Sequence, residues 1–215
     1  MNTDKLLNVR TANKCIEEAK LKPIPKMLFS EFWHENELCI LFADTNLGKS
    51  ILAVQIADSI SKGISINRFR LQAKKQAVLY FDFELNDKQF EKRYSRDYKN
   101  HYRFDDTLFR INLNAECADF EEFESRLFSS IEEMIPVTKA KTLIVDNLTY
   151  LNAHSAETAK EALPLMKRLK ELKQKHGLSI LILAHTPKRY GLVPISNNDL
   201  AGSKHLSNFA DSILQ

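Results

Sequence analysis

The chain has 215 residues and a net charge of +3, with 44% hydrophobic and 27% charged residues, the balance of a globular protein with a real core. This mildly basic balance permits nucleic acid as a partner without arguing for it. The three cysteines are widely spaced with no C-x-x-C pair, which argues against a metal knuckle or redox pair, and no apolar run approaches the roughly twenty residues of a membrane span. The N-terminus has no secretory signal pattern, so we expect a cytoplasmic protein that is not bound to a membrane.

The first predicted element is an amphipathic helix over residues 4–20, which ends before Pro23 and Pro25. We interpret residues 1–23 as a short N-terminal helical appendage. Its apolar side chains favour padding of the core. The alternative is that they pack on a neighbouring subunit.

Apolar runs and helical patterns then alternate along the chain. Strands are predicted at 37–42, 76–83, 108–113, 141–146 and 178–184, with the start of a sixth at 212–215. Helices are predicted after residue 50, from Asn86-Asp87, over 120–135, and before His176-Gly177. Such alternation implies parallel strands joined by helical crossovers, an α/β fold with helices flanking a mostly parallel sheet.

The segment A-D-T-N-L-G-K-S at residues 43–50 lies between the first strand and the following helix. Its spacing suits a loop whose backbone N–H groups surround the phosphates of ATP or GTP, with a lysine on the outer oxygens and a hydroxyl on magnesium. Ala43 stands where this pattern normally has glycine, but both flanks agree with it. The residues expected to contact the nucleotide are Ala43, Asp44, Thr45, Asn46, Leu47, Gly48, Lys49, Ser50 and Ile51.

Polar residues close three of the predicted strands, at the sheet edge where ligands collect in open parallel sheets. Asp146 is placed to hold magnesium beside the phosphates, and its alternative is to cap the next turn. Glu84 is the candidate that polarises a water, whereas Asp82 lies deeper along its strand and is interpreted as structural. His185 either touches the outer phosphate or is a satisfied strand-end histidine.

These motifs together resemble the RecA-like ATPase superfamily, in the segments 43–50, 80–84, 143–146, 180–185 and 200–203. Within it the chain looks most like the DnaB-like and plasmid RepA-like hexameric helicases and the AAA_25 proteins. The resemblance covers residues 24–215, which implies a RecA-like P-loop core, and the apolar pattern at the end suggests that the chain has been cut short.

The resemblance implies ATP and Mg²⁺ as cofactors and a site in which Lys49 neutralises phosphate and Ser50 and Asp146 hold magnesium. It further implies that Glu84 activates water and that His185 senses the γ-phosphate. The family also has an arginine that reaches into the neighbouring subunit's site, and that residue is not identifiable in this chain. Poor hydrolysis by the chain alone is therefore expected.

The leading hypothesis is a magnesium-dependent ATPase that assembles as a ring, with a hexamer favoured, and handles single-stranded DNA. Its DNA contact would be the loop 186–200, with Lys188 and Arg189 on the phosphates. The alternative is a nucleotide-controlled protein-interaction switch with slow or no hydrolysis. A small-molecule kinase is disfavoured because no arginine-rich lid is visible.

Overall fold

The computed structural model describes residues 7–114, 123–147, 159–186, 196, 200 and 204–215. The helices in this part are α1 Ala12–Lys20, α2 Lys49–Lys62, α3 Asp87–Arg93, α4 Phe123–Thr138, α5 Ala159–His176 and α6 Lys204–Ser207. Among the described residues no helix is long and apolar enough to cross a bilayer.

A six-stranded parallel sheet forms the centre of the molecule. Its strands are β3 Leu38–Ala43, β4 Val78–Asp82, β7 Leu108–Ile111, β8 Thr142–Asp146, β9 Ser179–His185 and β10 Ser212–Leu214. They lie in the order β10-β3-β9-β8-β4-β7, and every neighbouring pair is parallel. The predicted α/β class is confirmed, and each predicted strand is present.

Both faces of the sheet are covered, which explains why its strands are continuous apolar runs. On one face, side chains such as Cys39, Leu41 and Leu181 are buried together with Ile56 and Ile60 of α2. On the other face, the intervening strand residues are buried together with side chains of α4 and α5. The alternation along each strand thus separates two apolar layers.

The strand register sets the position of the polar residues that follow or end each strand. Ala43 at the end of β3 is opposite His185 of β9, and Asp82 of β4 is opposite Asp146 of β8. Because the strands are parallel, these carboxyl ends all lie at one edge of the sheet. The loop between β3 and α2 starts at the same edge.

Two short hairpins were not predicted from the sequence. The first pairs β1 Met27–Phe29 with β2 Trp33–His34, and the second pairs β5 Ser95–Arg96 with β6 Asn100–His101. Strands of two or three residues are too short to show an alternating pattern. The turn of the second hairpin has positive φ at Asp97 and Tyr98, the conformation that suits a tight hairpin turn.

Helix α1 begins later than predicted, at Ala12, because the Thr11 side chain caps it by accepting from the Lys14 N–H at 3.3 Å. None of its residues is buried, and Ile16 is 57% exposed. The interpretation that this helix pads the core is therefore wrong for its described residues. The physical reason is that the core is already closed by α2 on one face and by α4 and α5 on the other.

Candidate nucleotide site

The loop between β3 and α2 has the geometry of a phosphate cradle. Gly48 is the N-cap residue of α2 with φ 85°, and Asn46 also has positive φ. A side chain at Gly48 would be strained in this left-handed conformation. No side chain hydrogen-bonds at the N-cap, so the positive end of the helix dipole and its first N–H groups face the loop.

Lys49 is nearly buried inside this loop, with 8% exposure. Its Nζ donates to the carbonyl oxygens of Ala43 at 2.9 Å and Asp44 at 2.8 Å. Burial lowers the pKa of Lys49, while the carboxylates of Asp146, Glu84 and Asp44 act in the opposite direction. The ammonium group is thus held by neutral acceptors among three carboxylates, where an anion would gain a charge-assisted contact.

Ser50 and Asp146 meet at the base of the site, where their side chains hydrogen-bond. Tyr80 also donates its hydroxyl to Asp146 Oδ2 at 2.7 Å. Burial raises the pKa of Asp146, the negative charges of Glu84 and Asp82 add to this effect, and the hydrogen bonds with Tyr80 and Ser50 oppose it. A hydroxyl beside a buried carboxylate is an oxygen donor set that fits Mg²⁺.

Glu84 follows β4 and lies close to the end of β9. Its Oε1 is 3.6 Å from His185 Nε2 and also accepts a hydrogen bond from Asn147 Nδ2. Asn147 Nδ2 is in turn 3.1 Å from His185 Nε2. The ends of three strands, β4, β8 and β9, therefore bring a carboxylate, an amide and an imidazole together.

Asp82 is buried and does not line the site. Its Oδ2 accepts from Arg110 Nε at 2.8 Å, and its Oδ1 accepts from the backbone N–H groups of Glu84 and Leu85. The geometry agrees with the structural role that the sequence predicts for it. Glu84, by contrast, is the carboxylate that faces the cleft.

A cleft of about 410 Å³ opens over these groups. Its lining residues are Thr45, Asn46, Gly48, Lys49, Ser50, Ile51, Glu84, Arg93 and His185. The Asp44 side chain contacts the residue that follows β9, because its Oδ1 accepts a hydrogen bond from the Thr186 hydroxyl. The exposed Leu47 side chain and Ala43 belong to the loop but do not line the cleft.

Comparison with known proteins identifies the family of this chain. The AAA_25 family, an AAA domain, matches residues 6–191. The chain belongs to the AAA_25 family. It is therefore a P-loop ATPase by family, whereas the narrower resemblance to DnaB-like and RepA-like helicases remains a prediction.

A solved structure shows the same fold as this AAA domain. It is a KaiC-like protein from the hyperthermophilic archaeon Pyrococcus horikoshii, with a TM-score of 0.55 and 12% sequence identity. The alignment covers 86% of this chain and 73% of the other. None of the curated proteins matches the chain.

Two residues of the AAA domain site were missed by sequence reasoning. Arg93 lies at the end of α3 and lines the cleft, although nothing in its local pattern marks it. Asn147 contacts Glu84, and the signal that would have found it is its position directly after Asp146 at a strand end. Lys188 and Arg189 lie outside the described residues.

Proposed function

We propose that this AAA domain binds ATP with Mg²⁺ and hydrolyses it. The observation that carries the proposal is the cleft that Glu84 lines together with Lys49 and Ser50 of the α2 N-terminus. A carboxylate across a phosphate cradle is in position to accept the proton of a water attacking the outer phosphorus in line. Adenine, rather than guanine, follows from the family.

The roles of the residues follow from their positions. The loop 43–51 and Lys49 bind the β- and γ-phosphates, and Ser50 and Asp146 hold the metal. Mg²⁺ supplies charge neutralisation and orientation of the phosphate oxygens when it is bound. His185 lines the cleft with its Nε2 3.6 Å from Glu84 Oε1, which supports a role in sensing the γ-phosphate and transmitting its loss to the residues after β9.

Arg93 gives the cleft a second cation from the same chain. The sequence offered no arginine for the site, and poor hydrolysis by the chain alone was expected on that ground. An arginine on the transferring phosphate raises hydrolysis by about 10³–10⁵-fold in P-loop NTPases. We infer that Arg93 contacts the outer phosphate oxygens from within its own subunit.

We further propose that the protein assembles as a homo-oligomeric ring, with a hexamer favoured, and couples hydrolysis to single-stranded DNA. The support is the family resemblance and the position of residues 186–200, directly after the proposed sensor His185. Lys188 and Arg189 are the proposed phosphate contacts in this segment.

One observation favours a second function, a nucleotide-controlled interaction switch with slow hydrolysis. Glu84 Oε1 already accepts from Asn147 Nδ2. This hydrogen bond holds the carboxylate in one orientation, and hydrolysis is slow when that orientation does not point at the attacking water. In that case ATP binding, rather than turnover, prepares residues 186–200 for a protein partner.

The experiment is steady-state ATP hydrolysis by the wild type and by Glu84→Gln, with binding of a fluorescent ATP analogue measured in parallel. The amide keeps the shape of the carboxylate but cannot act as a base, so binding should persist while kcat falls about 10²–10⁴-fold. Full turnover in Glu84→Gln would refute the role of this residue.

Single-stranded DNA is then added to the same assay. Stimulated turnover supports the DNA-coupled ATPase. Binding of ATP without turnover, with and without DNA, supports the switch. Absence of ATP binding in the wild type would refute both functions.

A further inference from the structure

Arg110, on the edge strand β7, makes three hydrogen bonds and a cation–π contact. It lies on β7, opposite Tyr80 of β4, and its side chain is 18% exposed. All its described polar contacts fall on the segment 82–87, which links β4 to α3. Glu84 belongs to this segment, whereas Arg110 itself does not line the nucleotide cleft.

The three nitrogens of the guanidinium group each have a different acceptor. Nε donates to Asp82 Oδ2 at 2.8 Å, Nη1 donates to Asp87 Oδ1 at 2.6 Å, and Nη2 donates to the Leu85 carbonyl oxygen. The guanidinium carbon also lies 4.5 Å from the centre of the Phe90 ring, a cation–π contact with α3. One planar group thus touches the strand end, the turn and the helix.

Asp82 passes this restraint to the backbone of Glu84. Its Oδ1 accepts from the N–H groups of Glu84 at 3.2 Å and Leu85 at 3.0 Å, while its Oδ2 accepts from Arg110. Asp82 is only 3% exposed, and Arg110 is the counter-ion that it contacts. Both partners of the Arg110–Asp82 ion pair therefore contact the turn that carries Glu84. Asp82 accepts from its N–H groups, and Arg110 donates to the Leu85 carbonyl oxygen.

Helix α3 is held by the same group at its first turn. Asn86 and Gln89 form a capping box there, and Asp87 adds the contact with Arg110. The other end of this seven-residue helix carries Arg93, which lines the cleft. Arg110 thus contacts the turn that carries Glu84 and the first turn of the helix that carries Arg93 at its other end.

We propose that Arg110 is a positioning residue for hydrolysis: it fixes Glu84 through Asp82 and orients Arg93 through α3, without contacting the nucleotide. This inference rests on the proposed ATPase function of the site. A misplacement of about 1 Å in a catalytic group costs on the order of 10²-fold in rate. Loss of the restraint should therefore lower kcat and leave ATP binding unchanged.

The test compares Arg110→Lys with Lys62→Met. Lysine keeps the charge next to Asp82 but cannot reproduce the three-directional fork of arginine. Lys62 is a matched control because its Nζ also makes three hydrogen bonds, to Asp58, Tyr102 and the Arg103 carbonyl, away from the cleft. Both variants are first compared by thermal unfolding.

Two readouts are measured for each variant. In Arg110→Lys, kcat should fall at least about tenfold with KM for ATP within about twofold, and amide exchange at Glu84 and Leu85 should accelerate. Lys62→Met should show neither change. Asp82→Asn, which keeps the shape but loses the charge that pairs with Arg110, should resemble Arg110→Lys in kcat.

The two readouts separate this proposal from the proposed function. Faster exchange with unchanged kcat in Arg110→Lys would overturn the positioning role, and so would exchange as slow as in Lys62→Met. Absence of hydrolysis in the wild type would defeat the ATPase proposal itself, while the exchange measurement would still decide whether Arg110 fixes the Glu84 turn.

Discussion

At the scale of single residues, binding of a nucleotide would change the contacts of Lys49. Its two described hydrogen bonds go to neutral carbonyl oxygens, and burial lowers its pKa against the pull of three carboxylates. Phosphate oxygens would replace these neutral acceptors with charged ones. The ammonium group would then pair with an anion, and a hydrogen bond that involves a charged group contributes about 1.5–3 kcal/mol.

Lys49→Met should therefore weaken binding of ATP by roughly tenfold to hundredfold, because the variant lacks the cation that meets the outer phosphates. Titration calorimetry with ATP and Mg²⁺ measures this loss. Adenosine, which has no phosphate, serves as the control ligand, and its affinity should not change. Equal ATP affinity in the variant and the wild type would contradict the phosphate-cradle interpretation.

The sequence predicts those residues of the candidate site that lie at strand ends, since a polar residue that closes a buried run has a defined place in a parallel sheet. Glu84 and His185, which line the cleft, and Asp146 at the end of β8 belong to this group. Arg93 and Arg110 do not, because a cation on a helix end or an edge strand looks like ordinary solvated surface until the partners are known. The groups that Arg93 and Arg110 contact depend on how α3 packs beside the sheet.

At the scale of elements, the parallel strands were predictable and their connections less so. Strands covered on both faces are continuous apolar runs, which a single sequence reveals. The strand order depends on contacts between residues far apart in the sequence, whereas the hairpin strands are too short to show an alternating pattern. Side-chain contacts of the loop before β7 also join residues far apart in the sequence. Lys75 Nζ donates to Asp105 Oδ2 at 2.6 Å, and the Thr107 N–H and hydroxyl both donate to Asp105 Oδ1.

These contacts predict a specific dependence of stability on pH. The hydrogen bond from Lys75, together with those from Thr107, lowers the pKa of Asp105 from 3.8 to about 2. A carboxyl with a lowered pKa in the folded state contributes stability above its unfolded pKa and loses it as pH falls toward the folded value. The contribution should be complete above pH 5 and disappear between about pH 4 and pH 2.

Asp105→Asn should therefore lower the urea midpoint at pH 6, with a difference from the wild type that shrinks as pH falls from 4 to 2. Urea unfolding at several pH values measures it. Asp106→Asn is the matched control, because Asp106 is a neighbouring exposed aspartate with no described ion pair. A difference that stays constant down to pH 2 would contradict the assignment.

At the scale of the whole molecule, the core is complete without helix α1. The two apolar layers are closed by α2, α4 and α5, and α1 has no buried residue. Val9, Ile16, Leu21 and Ile24 are all more than half exposed. The amphipathic pattern of residues 4–20 predicts a helix, and the structure has one at Ala12–Lys20. The periodicity of a helix does not, however, identify the surface that covers its apolar face.

Removal of residues 1–22 should consequently leave the thermal unfolding midpoint within about 1 °C of the wild type, because no described core contact is lost. A contribution of 1 kcal/mol to the core would instead shift the midpoint by about 2–4 °C in a domain of this size. Sedimentation with ATP and Mg²⁺ adds a second measurement. Unchanged stability with weaker assembly would mean that the exposed face of α1 packs on another copy. A lower midpoint would instead mean that residues 1–22 contribute to the stability of the core.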